Sequence, residues 1–182
     1  MQKPSLIFVL PINEAIYILP AITYKFGIPT SFSSTEKEQF CNMLVKQGKV
    51  RNPSVEKLNN CKAICICIGD DEIISIGAIK PKTAIDFSKA KANLPHLSKS
   101  FTWELGYCYT DPKHTGNGYS STIVKQLVES YQGNLMATTE LREDNSMLHI
   151  LERFGFKQLG QTWKSTIHDG TLALFLLLFK KS

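Results

Sequence analysis

The chain lacks a long unbroken apolar run. Residues 5–28 are rather apolar, but Pro11, Asn13, Glu14, Pro20 and Lys25 interrupt them, and the run from Thr171 to Phe179 is too short to span a bilayer. Neither reads as a membrane segment, and the first has no clean order of basic, apolar and cleavage regions. No disulfide framework is present: the five cysteines, Cys41, Cys61, Cys65, Cys67 and Cys108, are odd in number and have no scaffold spacing. A reducing, cytoplasmic setting is expected. No basic stretch is interleaved with aromatics, and the net charge of +5 is mild. Such a charge helps to attract a polyanionic ligand but argues against a nucleic-acid partner. Internal repeats and low-complexity tracts are absent as well.

What remains is a chain of 182 residues with 43% hydrophobic content, which fits one domain spanning residues 1–182. Its most informative stretch runs from Trp103 to Ser121. A strand, Phe101 to Thr110, enters a turn at Gly116-Asn117-Gly118, which opens an amphipathic helix from Tyr119 to Gln132. The first N–H groups of a helix have no partner within it, and the macrodipole leaves positive charge there. Glycines let a large anion approach that backbone, so this order can cradle a phosphate. A tight turn without ligand is the alternative. No Gly-Lys-Ser/Thr follows, so the turn is not a Walker A loop, and the third glycine of a dinucleotide fingerprint is missing.

A short strand, Leu135 to Thr139, comes next. Asn145 then precedes a short helix, Ser146 to Phe154, with Met147, Leu148, Leu151 and Phe154 on one face and Gly155-Phe156 at its end. Together these features resemble the GNAT superfamily of acetyl-CoA-dependent N-acetyltransferases. Its cofactor motif, Gln/Arg-x-x-Gly-x-Gly/Ala, is followed about a strand later by an Asn-led helix ending in Gly-Phe. The resemblance covers residues 30 to 180 and is strongest from Trp103 to Trp163. Thr115 is read at the place of the usual Arg or Gln, and Ser120 at that of the usual Gly or Ala. Leu151 stands where many members place a Tyr that protonates the leaving thiolate.

The resemblance implies acetyl-CoA as cofactor and an amine as acceptor, with a small-molecule acceptor favoured over a protein. It implies that Thr115, Gly116, Asn117, Gly118, Tyr119 and Ser120 hold the pyrophosphate. The backbone of Tyr107, Cys108, Tyr109 and Thr110 would run beside the pantetheine arm, where plain sheet pairing is the other reading. Asn145 would contact the cofactor or serve as an N-cap alone. Lys113 and His114 could add charge or simply be solvated. Acyl transfer to an amine requires that the amine lose a proton and that the leaving thiol gain one. Glu104 is the expected base; a carboxylate paired with a lysine is the competing reading. Tyr109 is the expected proton donor, with Tyr107, Cys108 and His149 as nearby candidates. No metal is expected, and a homodimer is compatible with the sequence. A catalytically silent acyl-CoA-binding module on the same fold is the alternative function.

The remaining elements are placed coarsely. Ser33-x-x-Glu36 is a capping-box pattern that starts a helix ending near Gly48. Ala63 to Ile68 and Glu72 to Ile79 flank a Gly-Asp-Asp turn, hence a hairpin. Cys65 and Cys67 alternate along the first of these strands and read as buried thiols on one face. Leu6 to Leu10 is expected as a first strand, followed by a helical or irregular segment to Ile28. Residues 82–100 form a short helix or an excursion near the acceptor, and Lys157 to Thr166 with Thr171 to Phe179 form a closing hairpin. The expected fold is α/β (α+β): a mixed, mostly antiparallel central sheet with helices on both faces.

Overall fold

Short apolar strands, several of them buried on both faces, build one seven-stranded sheet. The structure, a computed structural model, describes residues 21–179. The strands are β1 (Thr23–Gly27), β2 (Ala63–Gly69), β3 (Glu72–Pro81), β4 (Trp103–Thr110), β5 (Leu135–Glu140), β6 (Lys157–Lys164) and β7 (Thr171–Leu177). Their spatial order is β1-β2-β3-β4-β5-β7-β6, and every pairing is antiparallel except β4 with β5. The helices are α1 (Ser34–Gln47), α2 (Val55–Asn59), α3 (Tyr119–Glu129) and α4 (Ser146–Arg153). The expected mixed, mostly antiparallel sheet is therefore present. No helix among the described residues is long and apolar enough to cross a membrane.

The two faces of the sheet carry separate cores. On one face, Cys65, Cys67, Ile79 and Leu105 meet Ile123, Val124 and Leu127 of α3 and Ile150 and Leu151 of α4. On the other, Ile64, Ile66, Ile76 and Ala78 meet Phe40, Met43 and Leu44 of α1 and Leu58 of α2. A third cluster lies on this second face, where Phe87, Ala92 and Phe101 cover Met136, Leu174 and Leu176. Each fully buried Leu or Ile contributes about 1.5–3 kcal/mol of transfer free energy. Helices thus cover both faces, and Cys65 and Cys67 are buried thiols as their alternation indicates.

Local signals explain the boundaries. The capping box at α1 is complete: the Ser33 hydroxyl accepts from Glu36 N–H at 3.2 Å and Glu36 accepts from Ser33 N–H at 2.7 Å. The chain leaves α1 through Gly48 in the left-handed region. The helix expected to reach Gln132 stops at Glu129, and Tyr131 packs on the first core from beyond its end. Residues 82–100 hold two short 3-10 helices, Ala84–Phe87 and Pro95–Ser100. Thr23–Gly27 is a strand rather than the expected helical or irregular stretch. Pairing with β2 and the packing of Ile22 and Tyr24 on the first core override its weak local signal. The short helix α2 is an element the sequence reading did not anticipate. The strand expected at Leu6 to Leu10 lies outside the described residues.

Candidate active site

The phosphate-type turn has the expected backbone. Gly116 and Gly118 adopt φ of 83° and 78°, a region that costs a side-chain-bearing residue about 1–2 kcal/mol. Among the described residues, no atom beyond the adjoining residues lies within 4 Å of a Cβ built at either position, so the loop is open above both glycines. Gly118 is the N-cap of α3 and offers no side chain to its first N–H groups. Side chains stitch the loop together from within: Thr115 Oγ1 donates to Pro112 O at 3.0 Å, and Asn117 Nδ2 to His114 O at 3.1 Å. What the loop presents outward is therefore backbone N–H groups at the positive end of a helix, which fits a phosphate. Counting the motif from these two left-handed glycines puts Lys113 at the Arg/Gln place and Gly118 at the Gly/Ala place. Thr115 and Ser120 therefore do not occupy the motif places first given to them.

A chain of hydroxyls ties this loop to the sheet. Buried Ser75 of β3 lies 2.7 Å from Thr110 Oγ1, which lies 2.6 Å from Ser120 Oγ in the first turn of α3. Thr110 and Ser120 thus have a fixed anchoring role through their side chains.

Strand β4 then parts from its neighbour. It pairs with β5 only at Trp103↔Leu135 and Glu104↔Met136. From Leu105 onward the two strands diverge, and the β5-facing edge of β4 has no strand partner among the described residues. A bulge opposite Ile76–Ala78, with Tyr107 at φ 55°, shifts the alternation of β4 by one residue. Leu105 before the bulge and Cys108 after it both face α3, whereas Glu104, Tyr107 and Tyr109 face the α1 side.

The candidate catalytic groups separate on this geometry. A cleft of about 480 Å³ opens at the splay, and Glu104, Gly106, Tyr107 and Cys108 line it together with Met147 and Leu151 of α4. Glu104 is buried, its Oε2 lying 2.6 Å from Lys80 Nζ and accepting from Thr83 N–H at 2.8 Å. Among the described residues, no hydrogen bond engages Oε1. The reading of a carboxylate paired with a lysine is thus realised, and the same carboxylate also lines the cleft. Lys80 is its direct cross-strand partner. Gly106 makes the pair sterically feasible, because a Cβ there would come within 2.7 Å of Lys80 Cε.

Tyr109 is not among the residues lining the cleft, and Tyr107 is. Burial pushes the Tyr107 phenol up to about 12 and raises that of Tyr109, so both remain protonated at neutral pH. Burial also pushes the Cys108 thiol up to about 12, which rules it out as a ready nucleophile. Its backbone carbonyl accepts from Gln47 Nε2 at 2.9 Å, a contact from α1 that nothing in the local sequence signals. His149 is exposed on α4, away from the cleft. Asn145 caps α4 through Met147 N–H at 3.1 Å and donates to Glu140 O at 2.6 Å, so its side chain is committed to structure while it borders the cleft.

The carboxylate-lined part of the cleft was the least legible in sequence. Asp86 and Glu140 are buried carboxylates that line the cleft and were not singled out from sequence. Asp86 pairs with Lys91 at 2.7 Å and accepts from Thr138 Oγ1 at 2.9 Å. Glu140 pairs with Lys49 at 2.8 Å and lies 4.0 Å from His168 Nδ1. The Lys49 hydrogen bond holds the Glu140 carboxyl below the usual carboxylate range. Lys49 follows α1 and His168 lies in the β6–β7 turn, so Glu140 links the two walls of the cleft.

Comparison with known proteins bears on the family and the fold. The family model of the acetyltransferase (GNAT) family matches residues 32–156. No curated protein is matched by sequence. Among solved structures, Arabidopsis thaliana NAA60 in complex with a bisubstrate analogue is similar, with TM-score 0.62 and 12% identity over 88% of this chain and 100% of that one. A GNAT-family acetyltransferase from Streptococcus pneumoniae is similar with TM-score 0.61 and 14% identity, over 88% of this chain and 100% of that one. The putative acetyltransferase yncA from Salmonella typhimurium, solved with acetyl-CoA, is similar with TM-score 0.57 and 12% identity, over 89% and 96%.

Proposed function

We propose, for a chain that belongs to the GNAT acetyltransferase family, a single-domain N-acetyltransferase that moves an acetyl group from acetyl-CoA to a primary amine by direct attack in a ternary complex. The observation that carries this reading is the continuity of β4: one strand joins the open glycine loop at α3 to the cleft that holds Glu104. The loop from Lys113 to Ser120 receives the pyrophosphate on its backbone N–H groups. The free edge of β4 from Gly106 to Thr110 runs beside the pantetheine arm. Acetyl-CoA supplies a thioester whose carbonyl the amine attacks, so that an N–C bond forms and the C–S bond breaks.

Glu104 Oε1 takes the proton of the incoming ammonium, directly or through a water, and Lys80 and the Thr83 N–H hold the carboxylate in place through Oε2. Of the two tyrosines on this stretch, Tyr107 takes the donor role expected of Tyr109, because its side chain borders the cleft. A phenol pushed up to about 12 hydrogen-bonds a developing thiolate more readily than it surrenders its proton, so solvent completes the protonation of the leaving sulfur. Leu151 at the place of the family tyrosine favours a second reading, a silent acyl-CoA-binding module.

Calorimetry of acetyl-CoA binding with the wild type and a Gly118→Trp variant tests the assignment. Saturable binding that is lost in a folded variant is the expected result. A folded wild type without binding overturns the reading. Binding without transfer to any amine leaves the module.

A further inference from the structure

The acceptor side, taken with the acyl-transfer reading on which this inference rests, carries a charge imbalance that narrows the acceptor's class. Each carboxylate lining the cleft is already matched: Glu104 by Lys80, Asp86 by Lys91 and Glu140 by Lys49, at 2.6, 2.7 and 2.8 Å. Their side chains are only 7, 6 and 7% exposed. The Thr83 N–H and the Thr138 hydroxyl further engage Glu104 and Asp86. An acceptor with a second cation, such as a polyamine or a basic peptide, would meet no unmatched carboxylate on these walls and several ammonium groups instead.

Cations are left over. Arg51 and Lys164 border the same cleft, and neither has a carboxylate partner among the described residues. They come from opposite walls. Arg51 lies two residues after Lys49, and Lys164 ends β6 just before the turn that carries His168. Glu140 contacts both walls, through Lys49 at 2.8 Å and His168 at 4.0 Å. The two unmatched cations thus border one mouth whose walls Glu140 connects. The pyrophosphate has its own cradle on the glycine loop, which lies outside the lining of this cleft.

We infer that the acceptor is an amine bearing an anionic group, a carboxylate or a phosphate, which Arg51 and Lys164 receive. A neutral or cationic amine gains nothing from these residues. An anion at the rim gains from both, and it offsets the repulsion that the surplus positive charge exerts on the incoming ammonium.

The test compares probes matched in their amine. 4-Aminobutyrate is set against butylamine and O-phosphoethanolamine against ethanolamine, with spermidine as the polycation. Acetyl transfer is followed by thiol release, at low and high salt, with wild type and an Arg51→Ala/Lys164→Ala double variant, and acetyl-CoA affinity is measured alongside. The expected result is kcat/KM about tenfold higher for the anionic member of at least one pair, as two exposed ion pairs supply. That advantage shrinks at high salt and in the double variant, while acetyl-CoA affinity holds. The pair that responds tells a carboxylate from a phosphate. Equal rates within both pairs, or spermidine as the best acceptor, overturn the inference and leave the acetyltransferase reading standing. Acetyl-CoA binding with no transfer to any probe removes the transferase reading and this inference with it.

Discussion

The glycine loop and the carboxylate-lined cleft lie at two ends of the same strand and are made of different material. At the loop, the outward surface is backbone, set by two left-handed glycines and the start of α3 within a few residues of sequence. In the cleft, the surface is side chain, and its partners are far apart in the chain: Lys49 and Glu140 are separated by 91 residues, Asp86 and Thr138 by 52. A backbone site depends on local conformation and so leaves a mark in local sequence. A site of ion pairs exists only once the sheet has brought the partners together.

Removing the charge of Glu104 separates the two ends most sharply. Glu104→Gln should lower kcat by about 100-fold or more, the usual scale for a lost general base, while acetyl-CoA affinity changes little. A parallel loss of affinity would mean that the two ends are not independent. Steady-state kinetics with calorimetry decides between these.

A weaker break is Glu140→Gln, which should raise the acceptor KM about tenfold and leave acetyl-CoA affinity alone, because only the acceptor walls lose their link. The same variant has a pH signature. Since the folded carboxyl sits below its usual range, its stabilisation is full above the ordinary carboxylate pKa and is lost as pH falls through the lowered folded value. The wild type should therefore lose melting temperature on that acid limb more steeply than the variant. Parallel limbs would remove Glu140 from the link.

The smallest effect probes the loop's anchor. Ser120→Ala deletes one member of the Ser75–Thr110–Ser120 hydroxyl chain and should cost about 1 kcal/mol in denaturant unfolding. Acetyl-CoA binding should weaken more than acceptor KM changes. The reverse order would assign the anchor to the wrong end of β4.

Legibility follows the same division. The Gly116-Asn117-Gly118 turn, the Asn145 cap and the capping box at Ser33 are local patterns, and each appears where its residues place it. Glu104 was readable as an acid on a central strand, but its pairing with Lys80 depends on a cross-strand register that no local pattern states. Tyr109 was misplaced relative to the cleft for a related reason. The bulge at Tyr107 changes which side chains face where, and a residue with positive φ and no glycine gives no warning in sequence. Strand β1 was missed because an edge strand owes its conformation to its neighbour.

The short contact between β4 and β5 has a mechanical consequence. Two residue pairs, Trp103 with Leu135 and Glu104 with Met136, are the whole seam between a four-stranded leaf and a three-stranded one. Past that seam the protein carries an unfinished sheet edge in its middle. A molecule lying in the gap would act as mortar between the leaves, so donor occupancy and resistance to unfolding are coupled by mass action. If the acyl donor lies in this gap, as proposed, the protein resists unfolding more strongly with the donor bound than without it.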